Sequence, residues 1–321
     1  MNTDELVKAV RHSGLISDYD SEWTDEQILI EADQVLIETF AEALSKLRAG
    51  HWKKYKIVPL VQGQDFYQLP PRALAQSLQA VEISSNGKDW DHITVLTDSQ
   101  ATDIGGTEMG SPRAYVCESD GLRLIPRPGV DGHLRMTYLL RPPKLVSLEE
   151  LSPIITVIEV TPTSVLVQVP EGSGLDAFRT PGHTDYDRGQ FIGDFQRTSG
   201  SHEMSMVDAE LKSQEQHPTI TDEYYFTFYN DHTRVLPGDL MVPLDQAPYP
   251  VLPAELHRAL ADATASAIWR SRGDYEKADR LAQRADIAIK RVVNMSTPRV
   301  KNAPFIWWNK NSYLRRNIGG W

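Results

Sequence analysis

Cysteine is nearly absent: Cys117 stands alone in 321 residues. No internal disulfide can form, so stability has to come from packing, and the chain fits assembly in a reducing cytosol. Cys117 ends the apolar stretch Ala114-Tyr-Val-Cys117 and reads as a small buried hydrophobe. No apolar run approaches the ~18 residues of a membrane helix, so no membrane partner is expected. Residues 1–14 contain Asp4 and Glu5 and no apolar stretch typical of a signal peptide, so no secretory signal is expected. A phosphate-binding loop is also lacking, because Gly105-Gly-Thr-Glu-Met-Gly110 is not followed by Lys-Ser/Thr. Ser111, in Gly110-Ser-Pro112, has no nucleophile-elbow frame. There are no internal repeats.

Acidic residues are missing from one place. Residues 297–321 hold Arg299, Lys301, Lys310, Arg315 and Arg316 and no Asp or Glu. The whole chain has a net charge of −11, so this +5 tail leaves −16 on the rest. An acidic body argues against wrapping nucleic acid through its whole surface, and a basic tail on it is an interaction layout.

What is present begins with helix signals. Thr24-Asp-Glu-Gln27 is a capping box. Ile28, Ala32, Val35, Leu36, Phe40, Ala43, Leu44 and Leu47 then predict one helix of about 25 residues ending at Gly50. From Lys56 the period shortens. Phe66–Leu69, Ala80–Ile83, Ala114–Cys117, Leu122–Ile125 and Leu134–Tyr138 predict an antiparallel β region, with Asn86-Gly87, Asp120-Gly121 and Asp131-Gly132 as turns. Ile154–Glu159, Ser164–Val169, Glu203–Leu211, Tyr224–Tyr229 and Asp239–Leu244 predict a small sandwich or barrel. Helix returns after Pro253, breaks at Gly273-Asp274, and resumes with Tyr275, Ala278, Ala282, Ala285, Ile289 and Val292 on one stripe. The simplest partner for that alanine-rich stripe is the helix over 28–47.

The expected fold class is therefore α+β, a helical core of long antiparallel helices with antiparallel β insertions. The expected divisions are 1–149 (N-terminal helices and first β region), 150–245 (inserted β-rich domain), 246–296 (C-terminal helices) and 297–321 (an extended arm).

Three acidic or His-containing clusters invite chemistry. His183, Asp185 and Asp187 alternate as metal ligands can, and a metal-assisted hydrolase is the enzymatic alternative they offer. They stand in a polar loop and read as solvated. Asp89 and Asp91 flank Trp90 and read as a hairpin tip, while Asp18, Asp20 and Glu22 lack the glycine and terminal Glu of a calcium loop and read as linker. No catalytic residue, metal site or cofactor is expected, and the chain is expected not to be an enzyme.

The tail carries more signal. Phe305, Trp307, Trp308, Lys310, Tyr313, Arg315, Arg316 and Trp321 put aromatics among cations on a segment without helical or strand period. Trp, Tyr and Arg anchor interfaces. Such a tail folds back on its own domain, docks on another protein, or stacks on single-stranded nucleic acid. Docking is the reading adopted.

The order of several motifs resembles the head-to-tail adaptors of tailed bacteriophages. The carriers are Phe66-Tyr-Gln-Leu-Pro70, Gly110-Ser-Pro-Arg-Ala-Tyr115, Leu122-Arg-Leu-Ile-Pro-Arg-Pro128, Leu134-Arg-Met-Thr-Tyr138, Gly238-Asp-Leu-Met-Val242, Leu252-Pro-Ala-Glu-Leu-His257 and Arg272-Gly-Asp-Tyr-Glu-Lys-Ala278. Each is short, and it is their order across roughly residues 24–295 that matches. The resemblance implies a helical core with β insertions and a structural virion protein at the head–tail junction, assembled in the host cytoplasm. It implies a homo-oligomeric ring, usually of about twelve subunits, that binds the portal protein, meets tail proteins and passes double-stranded DNA without binding it specifically. The arm at 305–321 suits the portal contact. The β stretch at 150–240 exceeds that of compact members, which leaves a carbohydrate- or receptor-binding tail component as the alternative.

Overall fold

The computed structural model describes residues 1–18, 20, 22–40, 52–97, 99–100, 109–151, 154–170, 192–199, 202–218, 220, 222–228 and 232–296. Two helices open the chain, α1 (Thr3–Gly14) and α2 (Asp25–Val35), and α2 runs into a π-helical turn, Leu36–Phe40. Both have complete capping boxes, Asn2 with Glu5 and Thr24 with Gln27. In the second, Thr24 Oγ1 accepts from the Gln27 amide at 3.3 Å and Gln27 Oε1 accepts from the Thr24 amide at 2.9 Å.

The first β body contains β1 (Lys53–Leu60), β2 (Phe66–Gln68), β3 (Ala73–Ser84), β4 (Asp91–Val95), β5 (Met109–Gly110), β6 (Ala114–Cys117), β7 (Gly121–Ile125), β8 (Arg127–Pro128) and β9 (Gly132–Leu140). Seven of them form one sheet in the order β1-β9-β3-β4-β6-β7-β2, and β5 pairs with β8. The sheet curls into a half-barrel. Leu60 from one edge and Tyr67 from the other share a core with Val81, Ile93, Leu122 and Leu134, and the Tyr67 hydroxyl accepts the Val61 amide at 2.9 Å. Two of the turn glycines serve close approach. A Cβ on Gly121 would meet the Phe66 ring at 2.2 Å, and one on Gly132 would meet the Ser84 carbonyl at 2.6 Å.

After β10 (Lys144–Leu145) come β11 (Ile155–Val160), β12 (Val165–Gln168), β13 (Ile192–Gln196), β14 (Met204–Gln216), β15 (Glu223–Phe228) and β16 (Leu240–Pro243). These last six close a barrel in the order β11-β12-β15-β14-β13-β16. Its core packs Val157, Val165, Val167, Met206 and Met241 around three phenylalanines, with Phe195 edge-on to Phe228 at 5.4 Å. β17 (Gln246–Ala247) pairs in parallel with β10. A short 3₁₀ turn, Ala254–Leu256, leads into α3 (His257–Ser271), and α4 (Tyr275–Ser296) closes the described chain. Asp274 caps α4, its Oδ1 accepting from the Lys277 amide at 3.1 Å.

This architecture overturns the expected fold class. Among the described residues there are seventeen strands against four α-helices of 11 to 22 residues, and the β material is the bulk of the molecule. The helices do not close a core of their own. Trp52, just before β1, and Tyr138, Leu140, Met204, Leu240 and Val242 from the strands complete the apolar cluster that holds Leu6, Ile28, Phe40 and Leu260. Of the expected 25-residue helix, the described part runs without a break from Asp25 to Phe40, α-helical to Val35 and π-helical from Leu36, and the remainder lies outside the described residues. Among the described residues the α4 stripe packs chiefly on α3, which also receives α1 and α2; residues 41–47 of the expected partner helix lie outside the described residues. Two further expectations change. Cys117 is exposed, because it is the last residue of β6 and its side faces away from the core. The first β region is mixed rather than antiparallel, since β4 runs parallel to β6.

Candidate assembly surfaces

The joint between the two β bodies is built on one buried cation. Arg72, 5% exposed at the start of β3, reaches into the barrel wall. Its Nη1 lies 2.8 Å from both oxygens of Asp194 and 3.3 Å from Asp208 Oδ1, and its Nε lies 3.4 Å from Asp245 Oδ1. Asp194 is fully buried and also accepts the backbone amides of Asp208 (3.0 Å) and Asp245 (3.2 Å). Asp208 and Asp245 take left-handed backbone conformations, φ 52° and 61°, which turn those amides inward. Burial alone would lower the Arg72 pKa; the Asp194 carboxylate and its hydrogen bonds outweigh that, and the pKa rises. Arg141 Nη2 adds a pair to Asp245 at 2.8 Å. The result is a rigid link between sheet and barrel.

Lys54 makes a second link, donating from β1 to the Met204 carbonyl, and burial pulls its ammonium down to about 8. A third link is aromatic. His202, beside the start of β14, stacks between Tyr249 (5.0 Å) and His257 of α3 (4.9 Å). Burial holds His257 near 4, with the chain's amino group and His202 adding to the effect, so it is neutral at pH 7.

Two clefts open on this frame. One, about 410 Å³, has an alanine-rich floor from α3 and α4 and a rim of Glu31, Glu38 and Asp286. Burial and the nearby Glu38 carboxylate push Glu31 up. The other, about 360 Å³, lies over the half-barrel face between Lys53, Tyr55, Arg135, Thr137 and Arg234. There the Arg135 guanidinium pairs with Glu82 at 2.7 Å and covers the Trp90 ring at 4.3 Å.

The structure sorts the clusters singled out from the sequence. Asp89 accepts from the Asn86 side chain at 2.7 Å in the β3–β4 turn, a local hairpin contact. Asp20 pairs with Arg272, and Asp18 lies 3.9 Å from Arg11, so both tie the α1–α2 linker to its surroundings. His183, Asp185 and Asp187 lie outside the described residues, as do Phe305, Trp307, Trp308, Lys310, Tyr313, Arg315, Arg316 and Trp321. Among the described residues, no three His, Cys, Asp or Glu side chains are grouped to hold a metal ion. No described helix is long and apolar enough to cross a membrane. Sequence reasoning missed the Arg72 joint altogether.

A half-barrel and a closed barrel joined through the buried Arg72 cluster, with a helical layer packed on them through a shared apolar core, form a frame that holds surfaces in fixed relation. The chain matches the model of the SU10 adaptor protein family over residues 1–171, more than half its length, and belongs to that family. It is a structural adaptor of the bacteriophage type. No curated protein matches it.

Proposed function

We propose that the chain is a head-to-tail adaptor of the virion, a ring of about twelve copies seated on the portal protein and presented to the tail. The observation that carries this reading is the family match over 1–171, which takes in α1, α2, the whole half-barrel and the first two barrel strands. Charge supports it. After Asp286 the sequence has no acidic residue, so a basic arm continues from the end of α4 while the body stays acidic. An acidic body lining a channel repels DNA phosphates and favours passage over capture. The arm at 297–321 grips the portal through Phe305, Trp307, Trp308, Lys310, Tyr313, Arg315, Arg316 and Trp321. Repetition of that contact around the ring turns a weak arm into a tight attachment. In this reading the chain assembles in the host cytoplasm, and the barrel stretch within 150–245 faces tail proteins or neighbouring copies. As a structural adaptor it has no catalytic residues or cofactor.

Deleting residues 297–321 tests the arm. The shortened chain should keep the thermal transition and circular dichroism of the full chain and lose co-sedimentation with purified portal rings. Undiminished co-sedimentation would remove the arm from the mechanism.

A further inference from the structure

We propose that α2 of one copy packs against α4 of the next, acidic face to basic face, as the contact that closes the ring. This deepens the ring reading above and rests on it.

Each helix has a face that nothing described covers. On α2 and its π turn, Gln27, Ile30, Gln34 and Ile37 follow spacings of 3, 4 and 3 and lie opposite the buried Ile28, Ala32 and Val35. Ile30 is 42% exposed and Ile37 36%. On α4, Arg280, Arg284, Ile287, Arg291 and Asn294 follow spacings of 4, 3, 4 and 3, opposite the buried Ala278, Leu281, Ala285 and Ile289. Ile287 is 67% exposed and its neighbour on that face, Met295, is 65%. A helix rises about 1.5 Å per residue, so Ile30 and Ile37 stand about 10.5 Å apart and Ile287 and Met295 about 12 Å apart. The two apolar pairs are spaced to meet.

Their flanks are opposite in charge. Residues 25–40 contain Asp25, Glu26, Glu31, Asp33 and Glu38 and no Lys, Arg or His. The last ten residues of α4, 287–296, contain Lys290 and Arg291 and no acid. Several of these charges are satisfied within one copy, Asp25 by Arg11, Asp33 by the Leu145 amide, Arg280 by Glu276, Arg284 by Asp262 and Lys290 by Asp286, while among the described residues Glu26, Glu38 and Arg291 have no ion-pair partner and carry the complementarity. Within one copy the two faces do not meet. α3 packs against both helices, and the alanine-floored cleft separates them. A second copy is the occupant that offers each face its complement. Because the paired faces differ, the contact is heterologous and propagates around a ring until rotation closes it. Opposed charges fix the register and disfavour like-face pairing.

The test uses the full chain with purified portal rings. In a Cys117→Ser background, Gln34→Cys and Arg291→Cys in one chain should give, with a short bismaleimide, a covalent ladder of multimers. That ladder should exceed the product of either single-cysteine chain by about tenfold or more. Charge reversal supplies the second measurement. Chains carrying Glu26→Lys with Glu38→Lys, or Lys290→Glu with Arg291→Glu, should each lose about tenfold or more of the multimer, and mixing the two should restore it. Restoration excludes misfolding as the cause of the loss. No ladder, or no restoration, while native mass spectrometry shows several wild-type copies on each portal would overturn this contact and leave the ring reading standing. A wild-type chain that never assembles beyond one copy on the portal would overturn both.

Discussion

Asp33 sits on α2 where its Oδ1 accepts the Leu145 backbone amide at 2.9 Å, a bond that ties the helical layer to β10. Burial pushes its pKa up to about 7, against partial relief from that amide and from Lys144. The folded-state value lies above the unfolded one, so this group favours folding in its protonated form. Its contribution is fully present below about pH 4 and is lost as pH rises through 7. Asp33→Asn keeps an acceptor and removes the buried charge. It should stabilise the chain at pH 8 by on the order of 2 kcal/mol, with the gain shrinking toward zero near pH 4. Urea unfolding of both chains at the two pH values checks this; an equal gain at both would show that charge burial is not the cause.

Among the elements, the coupling that matters most joins sheet to barrel through Arg72. Removing one partner of a buried ion-pair group leaves uncompensated charge, which costs about 3–5 kcal/mol. Arg72→Met leaves Asp194 buried and without its guanidinium, so urea unfolding should show that loss, either as one weaker transition or as the barrel separating from the half-barrel. A loss below about 1 kcal/mol would mean that the apolar contacts alone hold the joint. Nothing in the sequence announces this site, because Asp194 and Asp208 lie 122 and 136 residues from Arg72 and none of them belongs to a local pattern. Strands were far more legible. β6 spans the expected Ala114–Cys117, and the ends of β12, β15 and β16 each lie one residue from those expected. β1 was missed because Lys53-Lys-Tyr-Lys-Ile-Val-Pro-Leu60 is a sheet edge with little buried on either face. Helix positions were readable from capping boxes and periodicity, but alanine stripes do not specify a partner, and α4 chose α3.

At the scale of the whole molecule, one long apolar stripe at each end of the chain suggested a helical core. The helices form instead a layer whose apolar side is completed by strand residues such as Tyr138 and by Trp52 at the entry to β1, whose indole donates to the Val251 carbonyl at 2.7 Å. The charge partition was legible throughout, since it needs no structure: the chain becomes purely basic after Asp286. Placing part of that basic region on the exposed side of α4, with an acidic α2 elsewhere on the same layer, gives the body surfaces that differ in sign as well as in shape. Native mass spectrometry of the full chain, alone and with purified portal rings, tests the adaptor reading most directly. A monomer alone and a portal complex heavier by about twelve chains is the predicted result. Portal rings of unchanged mass beside free monomer would contradict it.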